Sequence, residues 1–400
     1  MFSEKKILKS LFLLIVIFFL FFNQNSASAK DYTVRIGIVP SAKEVIISSS
    51  VATPIILKKS GGYSETITTI QPLVPFYFTG DRNGISLYEN ENFIGKYNGI
   101  ISIKPQISSD VIPLVYASGH WYRGGLEIFS SSNKNITVVN SLPIEEYLYG
   151  VVPGEMPYKW SLEALKAQAV AARTYAIANI GSNSKRGFDM FATPASQVYL
   201  GVEGEKESTS QAVNETKGLV LTYKGKLITA YYHSTSGGMT ENGFDLWDNQ
   251  PYLRSVPDFD QNSPKYIWYQ NFTNDQLKQT LSKMGINVGD IINISPVKRS
   301  KTGRVKELAV EGIYGVKYVD AAKLRSILNL NSTFFNVGPV SDNESETDNK
   351  VIPQLFQFAG RGWGHGMGMC QWGAYQLALD GKNHEQILTY YYTGTKVVKY

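Results

Sequence analysis

Val151-Val152-Pro153-Gly154-Glu155-Met156-Pro157, followed from Leu162 by a long alanine-rich run, is the stretch from which the rest of the chain can be organised. A glutamate framed by glycine and two prolines lies on a rigid, backbone-defined turn. The apolar residues before it favour partial desolvation, which raises a carboxyl pKa as a general acid requires. The alternative is an ordinary capping or surface glutamate, the usual fate of a charged residue. After it, Leu162, Leu165, Ala169, Ala172, Ala176 and Ile180 recur at helical spacing behind Ser161, a candidate N-cap. The alanine content lets neighbours approach the backbone, so this segment reads as a buried central helix. Arg173 is its exception, and either reaches a polar pocket or pairs with a carboxylate. On the other side of Glu155, the run from Ser141 to Leu148 predicts a short helix with Ser141 as N-cap and Pro143 in the first turn.

Upstream, from Tyr32 to about Val139, short alternating runs rich in Val and Ile are separated by Gly-Gly and Asn-Gly turn signals, which predicts a β-rich module over 30–139. Residues 140–400 then read as a mixed α/β domain, making the chain α+β. Within it come a helix near Glu207 to Lys217 and strands at Leu219 to Tyr223 and Leu227 to His233. The second strand runs into His233-Ser234-Thr235-Ser236-Gly237-Gly238. An imidazole, hydroxyls and glycines just past a strand end suit a binding loop, with His233, Ser234 and Ser236 as ligand contacts. No G-x-S-x-G elbow supports a serine nucleophile. Residues 252–340 read as an auxiliary portion with helices at Asn274 to Met284 and Asp320 to Leu328. The acidic, polar stretch 340–352 reads as a flexible loop.

The first residues set the expected compartment. Lys5, Lys6 and Lys9 precede an unbroken apolar run from Leu11 to Phe22, and Ala27-Ser28-Ala29 has the form of a cleavage site, so residues 1–29 read as a signal peptide of an exported protein. Its removal takes away three lysines and Glu4, lowering the formal charge from +5 to about +3. That weak positive balance lacks the basic blocks of a nucleic-acid binder and suits an anionic wall polymer. Membrane contact is expected only through an uncleaved leader. One cysteine, Cys370, precludes an internal disulfide, and with four histidines it leaves little for a structural zinc. No metal or other cofactor is expected. A chain with 43% hydrophobic residues must instead rely on its core.

Near the C-terminus, Gly360-Arg361-Gly362-Trp363-Gly364-His365-Gly366-Met367-Gly368-Met369-Cys370-Gln371-Trp372-Gly373-Ala374 alternates glycine with large side chains. It does not fit G-x-G-x-x-G, which argues against a phosphate cradle. As an extended segment it would leave one side open and present Trp363, His365 and Trp372 to sugar rings, whose C–H faces stack on aromatics. Tight packing of the ribbon against its neighbours is the alternative, and the two are compatible.

These motifs, together with Leu142 to Pro157, Ala164 to Ala176 and Ser196-Gln197-Val198-Tyr199, occur in an order that resembles the SpoIID/LytB family from about Val138 to the C-terminus. That family includes peptidoglycan lytic transglycosylases and amidase enhancers. The resemblance implies that Glu155 is the catalytic acid and Arg173 the family's helix arginine. It also implies that Gln197, Tyr199, Gln371 and the Gly-Trp-Gly-His run contribute to a glycan groove. A lytic transglycosylase needs one carboxyl group, whereas a hydrolytic glycosidase needs a second at a defined separation. Glu145, Glu146 and Glu241 are candidates for that second group. Expected partners are glycan strands and, for an enhancer, a cell-wall amidase. Some sporulation members hold zinc through Cys and His near the Gln-Val-Tyr motif, but Thr193-Pro194-Ala195-Ser196 here offers neither.

Overall fold

The computed structural model describes residues 31–82, 84–106, 111–340, 344–347 and 350–400. The segment expected to be a signal peptide, 1–29, lies outside them. Among the described residues no helix is long and apolar enough to cross a membrane. Strands and helices combine in an α+β chain.

Alternation in the first hundred residues produces two sheets. Thr33–Ala42 and Asn135–Pro143 pair antiparallel from Thr33↔Pro143 to Ala42↔Ile136 inside a seven-stranded sheet. A six-stranded sheet is built on Glu44–Ser49, Phe76–Asp81 and Gly84–Glu89. Period-two burial points Val34 and Ile36, Phe76 and Phe78, Ile85 and Leu87, Ile101 and Ile103 inward, and the sheets close on each other where Asn135–Pro143 meets Phe76–Asp81.

That core does not stop at the expected boundary. It continues through Tyr147, Leu148, Val151, Leu165, Val170, Met369 and Tyr391, and the boundary near residue 139 falls inside the strand Asn135–Pro143. Met190–Phe191 also adds to the first sheet, parallel to Ile36 and Gly37. The β-rich part and the helical part therefore share one hydrophobic interior.

The helix Ile144–Glu155 starts directly where that strand ends. Pro143 occupies its N-cap position, and Ser141, paired with Arg35 and Gly125 in the sheet, cannot cap it. The helix Leu162–Ala178 follows, ending two residues earlier than its periodicity predicts, with Ser161 at the N-cap but making no side-chain bond there. Alanines are buried all around it. Small side chains let Ile144–Glu155, Glu207–Glu215, Gln371–Leu379 and His384–Tyr391 pack directly on it. The strand expected over Leu227 to His233 survives only at its ends. Lys226–Leu227 pairs with Leu219–Tyr223, and Tyr232–His233 pairs with Met369–Cys370, so the segment crosses between two sheets.

A second core, including Trp268, Leu281, Ile294, Leu308, Leu324, Phe335 and Phe358, marks the auxiliary unit. Its return strand Leu355–Arg361 inserts between Ile267–Thr273 and Phe335–Pro339, so the unit extends to Arg361, well past residue 340. In the stretch expected to be a loop, Glu344–Thr347 and Lys350–Pro353 form a hairpin. The apolar residues just after the acidic stretch supply a pairing partner that its own composition does not reveal.

Candidate active site

Glu155 is the last residue of its helix, with Pro153 inside the final turn. Gly150 and Gly154, four residues apart, lie on one face of that helix. A Cβ on either would come within 2.6 Å of the Tyr199 ring or 2.9 Å of the Val198 carbonyl oxygen. Glycine thus allows helix and segment 198–201 to touch. The Leu200 N–H donates to the Gly150 carbonyl at 3.1 Å, and the Val198 N–H donates to Glu155 Oε1 at 2.7 Å. Gln371 Nε2 stands 3.5 Å from Oε2, and the Tyr232 hydroxyl is a third donor. The carboxyl is nevertheless held above the ordinary carboxylate range, because burial outweighs all three donors. Close backbone contact, more than a rigid turn, sets the position of this acid.

Behind it runs a positioning chain. Tyr147 donates to Gln197 Oε1 at 3.3 Å, and Gln197 Nε2 donates to the Tyr232 hydroxyl oxygen at 2.9 Å and to the Ala172 carbonyl at 3.3 Å. Because Tyr232 accepts from Gln197, its own hydrogen is free for Glu155. Gln197 is fully buried and orients the site from behind, so the expected substrate contact is not realised. Tyr199 is also withdrawn. Its hydroxyl bonds Asn140 Oδ1 at 2.9 Å and its ring packs on Tyr147. Along Ser196-Gln197-Val198-Tyr199 the first and third residues face the groove and the other two face the core.

Glu155 opens into a groove of about 820 Å³. Trp160, Trp372, Tyr175, Tyr231, Tyr232, Trp247 and Trp363 line it, together with Ser234, His365, Gln371 and Arg325. Trp363 and Trp247 are 48% and 59% exposed, and the Lys265 ammonium lies over the Trp363 ring at 5.5 Å from its centroid. A second cavity of about 690 Å³, bordered by Lys104, Arg123 and Glu146, has no aromatic lining and does not include Glu155.

The Gly-Trp-Gly-His run is not an extended strand. Gly362, Gly364, Gly366 and Gly368 have φ of +77°, +115°, +88° and +72°, the left-handed region that suits glycine. A Cβ at Gly368 would lie 2.0 Å from the Tyr231 carbonyl oxygen, and one at Gly364 would lie 2.8 Å from His233 Cβ. The glycines fit the ribbon against 231–236, and Thr235 and Trp363 exchange backbone bonds of 3.0 and 2.8 Å. The tight packing is realised, and Trp363 stays exposed at the groove.

The other expected contacts divide sharply. Ser234, His233, Trp363, His365, Gln371 and Trp372 border the groove. Ser236 does not: it is buried and bonds His233 Nε2 at 2.8 Å. His233 is itself 4% exposed, and burial with neighbouring cations holds its pKa well below the usual imidazole value. His365 is depressed to about 3, by burial first and then by Arg325 and Arg304. Its Nδ1 accepts from the Met367 N–H at 3.0 Å and its other nitrogen serves the Tyr232 backbone. Arg173 is fully buried and lies outside the groove, gripped by Glu145 at 2.6 and 2.9 Å. Glu241 is fully buried too, bonded by Ser300 and Thr302. Tyr231, Tyr232, Trp247 and Arg325 were not singled out by sequence. The Tyr-Tyr pair directly before His233 was the available signal for two of them.

His233, Asp258 and Cys370 bring a nitrogen, an oxygen and a sulfur atom within 4.8 Å of one another, a candidate cation site. Counting scattered His and Cys residues overlooked that His233 and Cys370 are register partners and that Asp258 joins them. The groups already have protein partners: His233 contacts Ser236 and the Met367 carbonyl, Asp258 Oδ1 accepts from Tyr391 at 2.7 Å, and Cys370 Sγ accepts from the Gly373 N–H at 3.4 Å. Asp258 is raised to about 6 by burial and by Asp260. Exhaustive chelation is therefore expected to leave the melting temperature unchanged. A fall that zinc reverses would make the trio a metal centre.

A short helix ending in one desolvated carboxyl group thus faces an aromatic groove completed by a glycine ribbon. The family model described as stage II sporulation protein matches residues 132–223, and a domain of unknown function (DUF8618) matches 242–368. Stage II sporulation protein D of Bacillus subtilis is 33% identical over 289 residues, covering 68% of this chain and 78% of that protein. An uncharacterized protein of Brachyspira hyodysenteriae is 35% identical over 287 residues, covering 71% and 74%. The amidase enhancer of Bacillus subtilis is 32% identical over 293 residues, covering 63% of this chain but 40% of its own length. The chain belongs to the SpoIID/LytB family.

Proposed function

We propose that this is an exported, peptidoglycan-binding lytic transglycosylase that cleaves MurNAc–GlcNAc bonds with Glu155. The observation that carries this reading is the number of acids in the groove: among its described lining residues Glu155 is the one carboxyl group. Glu145 is committed to Arg173, Glu146 borders the other cavity, and Glu241 is sealed in the interior. A hydrolase working through two carboxylates finds no second one among those lining residues. A transglycosylase does not need one. Protonated Glu155 gives its proton to the glycosidic oxygen as the C1–O bond breaks. The resulting carboxylate takes the proton of the muramic acid 6-hydroxyl as that oxygen closes on C1, leaving a 1,6-anhydro end.

Mass spectrometry of muropeptides after digestion tests this directly, because anhydro ends support it and reducing ends indicate hydrolysis. Binding with no cleavage would favour the second reading, a wall-bound stimulator of an amidase, which the relative named amidase enhancer motivates. The pH profile gives a separate check. The raised Glu155 pKa keeps the acid form populated above the ordinary carboxylate range, so cleavage should persist through mildly acidic pH and decline as the carboxyl ionises on the alkaline side. A profile rising monotonically with pH would remove Glu155 as the acid.

Trp363→Ala is expected to weaken binding to purified glycan several-fold with little change in melting temperature, since a stacking contact contributes roughly 0.5–1.5 kcal/mol and the side chain is about half exposed. His365→Ala should instead lower the melting temperature, because both ring nitrogens serve the backbone. Pull-down and thermal melts separate the two, and unchanged glycan binding by Trp363→Ala would place the groove's platform elsewhere.

A further inference from the structure

We infer that Arg325, supplied by the auxiliary unit, is a carboxylate-binding subsite of the Glu155 groove. This rests on the glycan reading and adds an anionic requirement to it. Arg325 lies on the helix Ala321–Leu328 and lines the groove. Its Nε donates to the Leu330 carbonyl at 3.2 Å, which anchors the base of the guanidinium at the helix end. Its two terminal nitrogens have no hydrogen-bond or carboxylate partner among the described residues, unlike those of Arg123 and Arg173, each of which grips a glutamate. A half-buried guanidinium in this position bears a desolvation cost that an incoming anion would offset, and its planar fork matches a carboxylate.

The surroundings sharpen the assignment. Both groove histidines are held neutral by burial and neighbouring cations, Arg325 among them, so Arg325 is the one permanent cation among the described groove residues. The other lining residues are aromatic or uncharged apart from Glu155, with Asp248 against Tyr231 and Lys265 over Trp363 at the margin. A neutral sugar polymer would use the rings and leave Arg325 unpaired. A wall strand offers carboxylates from two sources: the lactyl group of muramic acid where the stem peptide has been removed, and the carboxylates of the stem peptide where it remains.

The test measures affinity in a Glu155→Gln background, so that nothing is consumed. Three probes are used: amidase-stripped glycan strands, peptide-bearing strands, and a chitin oligosaccharide without carboxylates. At least one carboxylate-bearing probe should bind about tenfold more tightly than chitin, and the better of the two identifies the source. Arg325→Gln should erase that advantage while leaving chitin binding and the melting temperature near the parent values. Arg325→Lys should recover only part of it. Equal binding of all three probes by the Glu155→Gln parent, or an equal loss on all three probes in Arg325→Gln with a lowered melting temperature, would reduce Arg325 to a helix-end anchor. Failure of the parent to bind any probe would instead overturn the glycan reading itself.

Discussion

Glu155→Gln should abolish cleavage of glycan strands while leaving the fold and glycan binding intact. The amide keeps the acceptor that the Val198 N–H needs and the volume between helix and groove, but carries no transferable proton. One group acts as acid for the leaving oxygen and as base for the 6-hydroxyl, so both steps fail together. General acid–base catalysis by a positioned side chain contributes roughly 10²–10⁴-fold, and a fall of about 10³-fold or more is expected. Stability should not suffer, because the substitution removes a carboxyl group whose ionised form burial already disfavours. Mass spectrometry of digests gives the rate and a thermal melt controls for folding. Parent-like anhydro product from the variant would mean that the acid is another residue.

What made Glu155 legible was local. The Gly-Glu-Met-Pro frame and the alanine periodicity that follows are each contained in short runs of sequence, and they singled out the acid and the central helix, although the helix before Glu155 runs on through the frame that read as a turn. The donors that tune Glu155 were not legible in the same way, since Tyr232 and Gln371 lie far along the chain and reach it only through tertiary folding. The glycine ribbon was visible as a pattern but misjudged in conformation, because alternate glycines fit an open strand as well as a series of left-handed turns. His233 and Cys370 looked scattered until strand pairing made them neighbours. The extent of the auxiliary unit was obscured because its closing strand, Leu355–Arg361, runs straight into the ribbon and shares its glycine-containing sequence. Trp247 and Arg325 carried no motif, and only the closure of the groove gave them a role.

Arg173→Met should produce the largest loss of stability predicted for this chain without a specific loss of ligand affinity. The sequence left open whether this arginine contacts substrate or forms an internal pair, and its surroundings favour the pair. The guanidinium is fully buried, holds Glu145 at both oxygens, and donates to the carbonyls of Leu219 and Val213 at 3.2 Å. Glu145 in turn accepts from the Gly218 N–H at 3.1 Å and lies 3.4 Å from the Tyr400 hydroxyl. The pair therefore ties the Glu155 helix, the central helix, the segment 213–219 and the C-terminus together. Removing one partner leaves an uncompensated carboxylate and takes the side-chain donor from the Leu219 carbonyl, while Val213 keeps the Thr216 hydroxyl, a change of the kind that costs about 3–5 kcal/mol. Adding Glu145→Gln should recover part of this by removing the stranded charge, a coupling that a double-mutant cycle in denaturant reads directly. Under conditions where Arg173→Met is still folded, its affinity for glycan should match the parent's. Parent-like stability with lost binding would return Arg173 to the groove, and equal losses in the single and double variants would show that the glutamate is not what the arginine holds.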